Sequence, residues 1–173
     1  MKQIKKNVIF LLGPTAAGKT DWAINWKNKF EFLEIISVDS LMVYKECNIG
    51  SAKPSNEVLE KYPHRLINHV SVEHIFSVAN FYDIALKLIN EIHLQDKIPL
   101  MVGGSMMYFN LLKNGISLLP SADINLREKL RQKIVNEGVE SLHEDLFKLD
   151  PEAARQIKSK DTQRIIRAIE IIS

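Results

Sequence analysis

The fold is decided by the stretch Val8-Ile-Phe-Leu-Leu-Gly-Pro-Thr-Ala-Ala-Gly-Lys-Thr20. Its first five residues are apolar, which predicts a β-strand over 8–12 that is buried on both faces. The next eight residues match the pattern G-x-x-x-x-G-K-[ST], and a helix is expected to follow over about 19–29. Because this pattern binds phosphate when a strand precedes it and a helix follows it, we expect the loop to hold a chain of phosphates.

Each part of this loop has a chemical task. The glycines let the backbone curl so that several N–H groups point at one phosphate, and the amino end of the following helix adds favourable potential. The Lys19 ammonium contributes a point charge, and the Thr20 hydroxyl can bind Mg²⁺, the expected cofactor. The predicted phosphate-binding residues are therefore Gly13, Pro14, Thr15, Ala16, Ala17, Gly18, Lys19 and Thr20.

Two more apolar runs, at 33–38 and 98–102, predict further buried strands. The stretch 41–63 contains many turn residues and is expected to be mostly loop. Strands that alternate with helices predict a parallel sheet flanked by helices, an α/β fold like that of the P-loop NTPases. The helices expected in this part of the chain, beyond the one that follows the phosphate loop, lie at about 57–61, 76–93 and 105–113.

The pattern changes after Leu119-Pro120, since only helices are expected beyond this point. Asp150-Pro151 is typical of a helix start, because Asp caps the first turn and Pro fits the first helical position. We therefore divide the chain into an α/β core, 1–119, and an all-helical region, 120–173. Four helices are expected in this region. Two lie at about 125–137 and 139–149, a third starts at Asp150-Pro151, and the last starts near Asp161-Thr162.

Composition excludes several classes of protein. The chain has 173 residues, 46% hydrophobic and 25% charged, values typical of a folded domain rather than a disordered one. With 23 basic and 21 acidic residues, the net charge of +2 is too balanced for a polybasic nucleic-acid binder, although a local basic patch stays open. A single cysteine, Cys47, excludes an internal disulfide. Since no apolar run approaches the roughly 20 residues that span a bilayer, we expect a cytoplasmic protein without a membrane segment.

Polar residues stand at the carboxyl ends of the second and third predicted strands, where ligands gather in open α/β sheets. Asp39 follows the second strand and fits three roles: a general base, a partner of Mg²⁺, or a residue that caps its own loop. Gly103-Gly104-Ser105 ends the third strand, where glycines permit close approach of a ligand and Ser105 offers a hydroxyl. A tight turn between strand and helix explains the same residues equally well.

Three further features have ordinary explanations on spacing alone. Basic residues cluster near the end of the chain, where Arg164 and Arg167 share one helix face; a solvated surface and a site for a phosphate backbone both fit. His64 and His69 are poorly spaced for zinc, so packing or hydrogen bonding is expected of them. Cys47 has no neighbouring group that would activate it and is expected to be inert.

Several stretches together resemble one family, the tRNA dimethylallyltransferases, also called tRNA isopentenylpyrophosphate transferases. They occur in the family's order over nearly the whole chain, whereas a P-loop kinase would share only the first of them. The matching stretches are Gly13-Pro-Thr-Ala-Ala-Gly-Lys-Thr20, Ser37-Val-Asp-Ser-Leu-Met-Val-Tyr-Lys45, Asn48-Ile-Gly-Ser-Ala-Lys-Pro54, Pro63-His-Arg-Leu-Ile-Asn68, Val102-Gly-Gly-Ser-Met-Met-Tyr-Phe109, Leu119-Pro-Ser-Ala-Asp123, Asp150-Pro-Glu-Ala-Ala154 and Asp161-Thr-Gln-Arg-Ile-Ile-Arg-Ala-Ile-Glu170.

The resemblance implies transfer of a dimethylallyl group from dimethylallyl diphosphate to N6 of the adenosine 3′-adjacent to the anticodon, in tRNAs that read codons beginning with U. It implies that Asp39 is the general base, that Thr20 and Ser105 are further catalytic residues, and that the phosphate loop holds the donor's diphosphate. The region from 120 would begin an insertion domain that grips the anticodon stem-loop, and we expect a monomer. The implied tRNA-binding residues are Asp39, Ser40, Leu41, Met42, Ser105, Arg127, Gln163, Arg164, Ile165, Ile166 and Arg167.

The chain departs from the family pattern at several positions. Ser105 replaces the usual Thr and keeps the hydroxyl, whereas Asn48 and Asn68 replace usual Asp residues and each lose a charge. Family members are also longer, so we expect this chain to lack the segment that completes the core, including an arginine that helps to bind the diphosphate. Two alternatives stay open: a small-molecule P-loop kinase that binds ATP, and a non-catalytic fragment that binds diphosphate or tRNA without turnover.

Overall fold

The computed structural model describes residues 7–115, 119–120 and 122–173, so Ser121 of the matching stretch 119–123 lies outside the described residues. The chain forms two compact units, Met1–Ile116 and Ser117–Ser173. The boundary suggested by the sequence, 119/120, lies three residues further along the chain than this division. The first unit is called the α/β unit below, and the second the helical unit.

The α/β unit is built on a parallel sheet with the strand order β1-β4-β2-β3. Leu12 and Val38 are both in register with Gly103, so the carboxyl ends of β1, β4 and β2 lie level at one edge of the sheet. The shortest strand, β3, was not predicted, because two residues are too few to show a periodic pattern. The strands are β1 (Ile9–Leu12), β2 (Leu33–Val38), β3 (His64–Arg65) and β4 (Ile98–Gly103).

Helices cover both faces of this sheet, as predicted for the fold. Successive residues of β2 face opposite sides, so Ile36 packs with Phe81 of α3 while Ile35 packs with Ala23 of α1. The long amphipathic helix predicted over 76–93 is confirmed, with Phe81, Ala85 and Ile92 buried on one stripe. The helices are α1 (Lys19–Lys29), α2 (Asn56–Lys61), α3 (Val78–Leu94) and α4 (Met106–Asn114).

One expectation about burial was wrong. The strand β1 is not buried on both faces: Ile9 and Leu11 pack against the sheet's core, but Phe10 and Leu12 are exposed. This strand lies at the end of the strand order, with β4 as its only neighbour among the described strands. In the helix α1, Ala23 is fully buried and Trp22 is 58% exposed.

The helical unit contains no strand in its described residues, as the sequence predicted. Its core is formed by buried residues of three helices, such as Leu142, Ala154 and Ile165. Three of the helices start at an aspartate whose side chain accepts a backbone hydrogen bond, including the predicted start at Asp150-Pro151. The helices are α5 (Ile124–Glu137), α6 (Val139–Leu149), α7 (Pro151–Gln156) and α8 (Thr162–Ile172). Among the described residues, no helix is long and apolar enough to cross a membrane.

Candidate functional site

A cavity of about 390 Å³ opens in the α/β unit where the phosphate loop meets the ends of β2 and β4. It brings together groups that are far apart in sequence, because parallel strands end at the same edge of a sheet. Both the phosphate loop and Asp39 contribute to its wall, as the sequence predicted for a ligand site at this edge. The polar and charged lining residues are Thr15, Lys19, Thr20, Asp21, Ser37, Asp39, Ser51 and His64.

The phosphate loop is held in a curled conformation. Gly18 has a φ of 71°, in the left-handed region that glycine adopts without strain, and Ala16 also has a positive φ of 62°. The Lys19 ammonium folds back and donates to the carbonyl oxygen of Pro14 at 2.6 Å. No side chain caps the start of α1, so its first N–H groups face the loop. Of the eight predicted phosphate-binding residues, Thr15 to Thr20 line the cavity, whereas Gly13 and Pro14 do not.

Asp39 has one of the roles that its position suggested, that of a loop cap, and its side chain also reaches the cavity. Its Oδ1 accepts hydrogen bonds from the backbone N–H groups of Leu41 (2.8 Å) and Met42 (3.1 Å), so it does cap its own loop. The carboxylate also lines the cavity, and among the described residues no donor bonds to Oδ2. One oxygen therefore fixes the side chain while the other can accept a proton. Leu41 and Met42 line the same cavity, and Ser40 does not.

Ser105 lies next to the cavity rather than on its wall. Its Oγ accepts a hydrogen bond from the backbone N–H of Ser40 at 3.2 Å, which ties the end of β4 to the end of β2. Gly103 is required by this close approach, since a Cβ atom there would lie 2.0 Å from the carbonyl oxygen of Val38. Gly104 has more room, with the Gly13 carbonyl oxygen 3.4 Å from the corresponding position. The hydroxyl proton of Ser105 stays available to a ligand.

Lys53, which sequence reasoning missed, lies between the lining residues Ala52 and Pro54 and ties together the loop segments around them. Its ammonium donates to the carbonyl oxygen of Tyr44 (2.7 Å) and to the side-chain oxygens of Asn48 (3.0 Å) and Asn68 (2.8 Å). The two asparagines therefore keep hydrogen bonds at positions where the family usually has a charge. The signal was present, because Lys53 lies within the stretch 48–54 that matches the family.

The two histidines lie in different surroundings, His64 in a strand and His69 against an aromatic ring. His64 is buried in β3, its Nδ1 hydrogen-bonds to the carbonyl oxygen of Tyr62 at 2.6 Å, and its Nε2 has no partner among the described residues. Burial lowers the pKa of His64, which favours the neutral ring, although the hydrogen bond to the Tyr62 carbonyl oxygen opposes this shift. His69 instead packs edge-on against the ring of Phe76.

Oxygen atoms supply what a magnesium ion would need in this cavity. The Thr20 hydroxyl and the Asp21 and Asp39 carboxylates line it, and hard oxygen ligands suit Mg²⁺. Within the described ranges no group of three or more His, Cys, Asp or Glu side chains could hold a metal alone. The residues therefore fit a magnesium ion that is shared with water and with the phosphates of a ligand, as is common for Mg²⁺.

The proposed RNA-binding residues of the helical unit fall into three groups. Gln163 and Arg164 are exposed on the first turn of α8. Ile165 and Ile166 are buried in the unit's core, so their side chains face away from solvent. Arg127 and Arg167 both contact the buried carboxylate of Glu170, a residue that sequence reasoning did not single out.

Comparison with known proteins gives a consistent result. A family model described as IPP transferase matches residues 42–173. Proteins named tRNA dimethylallyltransferase are similar over most of the chain: that of Vesicomyosocius okutanii is 47% identical over 99% of this chain, and that of Acinetobacter baumannii is 46% identical over 95%. These alignments cover 56% and 52% of the relatives, so the chain spans about half the length of the curated relatives it matches.

Two solved structures extend the similarity to the fold. The full-length tRNA isopentenylpyrophosphate transferase of Bacillus halodurans is 38% identical, with a TM-score of 0.63 over 97% of this chain and 55% of its own. A eukaryotic dimethylallyltransferase acting on tRNA is 30% identical, with a TM-score of 0.76 over 92% of this chain and 40% of its own. The α/β fold predicted from the phosphate loop is thus confirmed by both the sheet and these neighbours.

Proposed function

Because the chain belongs to the IPP transferase family, we propose that it is the part of a tRNA dimethylallyltransferase that carries the catalytic site. The reaction moves a dimethylallyl group from dimethylallyl diphosphate to N6 of the adenosine 3′-adjacent to the anticodon, in tRNAs that read codons beginning with U. The product is N6-dimethylallyladenosine. One observation carries the proposal: a single cavity places the phosphate loop and the Asp39 carboxylate around the same space.

The phosphate loop suits a diphosphate that must be bound and then released as the leaving group. Its backbone N–H groups and the amino end of α1 favour negative charge, and the Lys19 ammonium can swing from the Pro14 carbonyl to a phosphate oxygen. Thr20 would hold the magnesium ion, with Asp21 or Asp39 reached through water. When bound, Mg²⁺ supplies positive charge that offsets the charge developing on the diphosphate.

The role proposed for Asp39 is that of the base that takes a proton from the acceptor. In the reaction a bond forms between N6 and C1 of the dimethylallyl group, the bond between C1 and the diphosphate oxygen breaks, and N6 loses one proton. We assign that proton to Oδ2 of Asp39, because Oδ1 is held by the N–H groups of Leu41 and Met42. Ser105, bonded to the backbone of Ser40, fixes the position of this loop and offers its own hydroxyl beside it.

The helical unit would bind the anticodon stem-loop through its basic residues. Arg164 is 74% exposed and only loosely paired with Asp161 at 3.5 Å, so it is available to a phosphate. Arg127 and Arg167 are about one-third exposed and already hydrogen-bonded to Glu170. We further propose that the protein acts as a monomer in the cytoplasm, which sedimentation and fractionation of the native protein test.

The test is transfer of label from radiolabelled dimethylallyl diphosphate to a tRNA that reads a U-initial codon, with Mg²⁺ present. Asp39→Asn keeps the Oδ1 acceptor and removes the base, so it should slow transfer by about 10²–10⁴-fold while donor affinity stays within about twofold. Lys19→Ala should instead weaken donor binding, because the loop loses its point charge. Label in tRNA supports the proposal for this chain.

Three results would contradict parts of this proposal. Donor binding without transfer would leave the phosphate site in place and make the chain a binding fragment. Equal loss of binding and transfer in Asp39→Asn would contradict the general base. A kinase would be indicated if the chain moved phosphate from labelled ATP to a small molecule without any tRNA, since its phosphate loop alone is compatible with ATP.

A further inference from the structure

Glu170 lies near the end of α8, and its side chain is 1% exposed. Oε1 accepts hydrogen bonds from the backbone N–H of Asp123 (2.7 Å) and from Nε of Arg127 (2.8 Å). Oε2 accepts from Nη2 of Arg127 (2.9 Å) and from Nη1 of Arg167 (2.6 Å). The carboxylate therefore accepts hydrogen bonds at both oxygens from four donors. Arg127 binds both oxygens, one through Nε and the other through Nη2.

The charges around this carboxylate do not balance. Two guanidinium groups contact one carboxylate, which leaves a net charge of +1 in this cluster. One arginine would neutralise a buried glutamate, so the second is not needed for neutrality. Both arginine side chains stay accessible, at 35% and 34% exposed, so the surplus charge reaches the surface.

Both arginines also have hydrogen-bonding capacity left. Arg127 uses Nε and Nη2 for Glu170, and no acceptor among the described residues bonds to its Nη1. Arg167 uses Nη1 for Glu170 and Nη2 for the carbonyl oxygen of Pro120 at 2.8 Å. A fixed, partly exposed guanidinium with free N–H groups is suited to a phosphate, because its planar fork loses little freedom on binding.

We propose that Glu170 is a positioning residue for RNA binding: it holds Arg127 and Arg167 in place so that together they present their surplus positive charge to a phosphate of the RNA backbone. This inference rests on the proposed function, which supplies the RNA. An acidic residue generally weakens RNA binding, because it repels the phosphates. The proposal predicts the opposite for Glu170: this buried residue, which does not touch RNA, strengthens RNA binding through the two arginines.

The sign of the effect provides the test. Removing a negative charge from a protein generally strengthens its attraction to RNA, so Glu144→Gln, at an exposed position of α6, should leave affinity unchanged or raise it slightly. Glu170→Gln changes the net charge equally but releases both arginines, so it should weaken binding by about tenfold if one phosphate contact is lost. The measurement is the affinity of the 173-residue chain for an anticodon stem-loop RNA over a range of salt concentrations.

The salt dependence separates positioning from a general loss of structure. Loss of one phosphate contact should reduce the slope of log affinity against log salt by about 0.7–0.9. Arg127→Lys keeps the charge, replaces the planar guanidinium by an ammonium group, and should also weaken binding. It is the variant to use if amide hydrogen exchange in α5–α8 shows that Glu170→Gln does not fold. Inorganic phosphate as competitor tells whether the cluster takes a free phosphate or only one within RNA.

Each outcome decides the matter. Folded Glu170→Gln that binds RNA as tightly as the wild type, or more tightly, overturns the positioning role, as does an unchanged affinity in Arg127→Lys. If the wild-type chain shows no salt-dependent RNA binding at all, the RNA part of the proposed function fails together with this inference. Wild-type binding that is lost in Arg164→Ala but kept in Glu170→Gln would leave the proposed function in place and remove only this inference.

Discussion

Among the described residues, each unit contains a glutamate that pairs with two cations, Glu34 in the α/β unit and Glu170 in the helical unit, and the two clusters are built differently. In the α/β unit, Oε1 of Glu34 accepts from the ammonium groups of Lys97 (2.5 Å) and Lys27 (3.1 Å). In the helical unit, both oxygens of Glu170 accept from Arg127 and Arg167. The Glu34 side chain is 15% exposed and that of Glu170 is 1% exposed.

The difference shows how the burial of a carboxylate determines the contribution of its ion pairs to the free energy of unfolding. The lysines around Glu34 lie partly in water and can turn towards it, so each can be solvated without the carboxylate. The carboxylate of Glu170 cannot be solvated in this way, because it is buried away from water and depends on hydrogen bonds from protein donors. The cations of the two clusters are similarly exposed, so the difference lies in the carboxylate: that of Glu170 is fully buried and accepts four hydrogen bonds, whereas that of Glu34 is partly exposed.

The largest expected effect is that of removing each carboxylate. Glu170→Ala should cost the helical unit about 3–5 kcal/mol of unfolding free energy, because it removes a buried carboxylate that accepts four hydrogen bonds, one of them from the backbone N–H of Asp123. Glu34→Ala should cost the α/β unit only about 1 kcal/mol, since the Glu34 carboxylate is partly exposed and pairs with two flexible ammonium groups. Amide hydrogen exchange resolved by residue reports the stability of each unit separately. Equal losses in the two units would break the comparison.

The candidate site of the α/β unit could be predicted from the sequence more fully than the Glu170 cluster of the helical unit. Strand ends at 38 and 103 could be predicted to share an edge, and with them the meeting of Asp39 and the phosphate loop, because parallel strands impose it. Nothing in the pattern pairs Glu170 with Arg127, which lies 43 residues away and on another helix. Such contacts depend on how helices pack, and an apolar stripe fixes only which face is buried.

The burial of the side chains of β1, at the edge of the sheet, could not be predicted from the sequence either. The apolar run 8–12 predicted a strand correctly, but an apolar side chain does not reveal whether another element covers it. Phe10 and Leu12 are exposed because β1 ends the strand order, a property of the topology. The two-residue strand β3 escaped prediction for a related reason, since it is defined only by its pairing with β2.

Lowering the pH should destabilise the helical unit more than the α/β unit, by an amount smaller than the loss expected in Glu170→Ala. Hydrogen bonds from Arg127, then from Arg167 and the Asp123 N–H, lower the pKa of Glu170 from 4.5 to about 2. As the pH falls, the unfolded chain takes up this proton first, so the stabilisation is complete above about pH 4.5 and is lost as the pH falls towards 2. The loss in the helical unit should reach up to about 3 kcal/mol.

Hydrogen exchange or unfolding measured at steps between pH 5 and pH 2 checks this expectation, with Glu170→Gln as the control that cannot titrate. For Glu34, burial raises the pKa, but hydrogen bonds from Lys97 and Lys27 outweigh it and leave the pKa below its ordinary value. Glu34→Gln should therefore remove a smaller part of the pH dependence. Parallel loss of stability in wild type and Glu170→Gln would show that Glu170 does not titrate as described.

The smallest effect concerns the kind of cation. Arg127→Lys keeps the charge next to Glu170 but replaces a fork that reaches both oxygens by a single ammonium, so one oxygen loses a donor in a closed site. We expect the free energy of unfolding of the helical unit to fall by about 1–2 kcal/mol, because a buried acceptor is left with fewer hydrogen-bond donors. Lys97→Arg beside Glu34 makes the reverse change where water can complete any missing hydrogen bond, and it should alter stability by less than about 0.5 kcal/mol. If Lys97→Arg shifts stability as much as Arg127→Lys does, the geometry of the cation matters equally in both clusters, and burial is not what sets them apart.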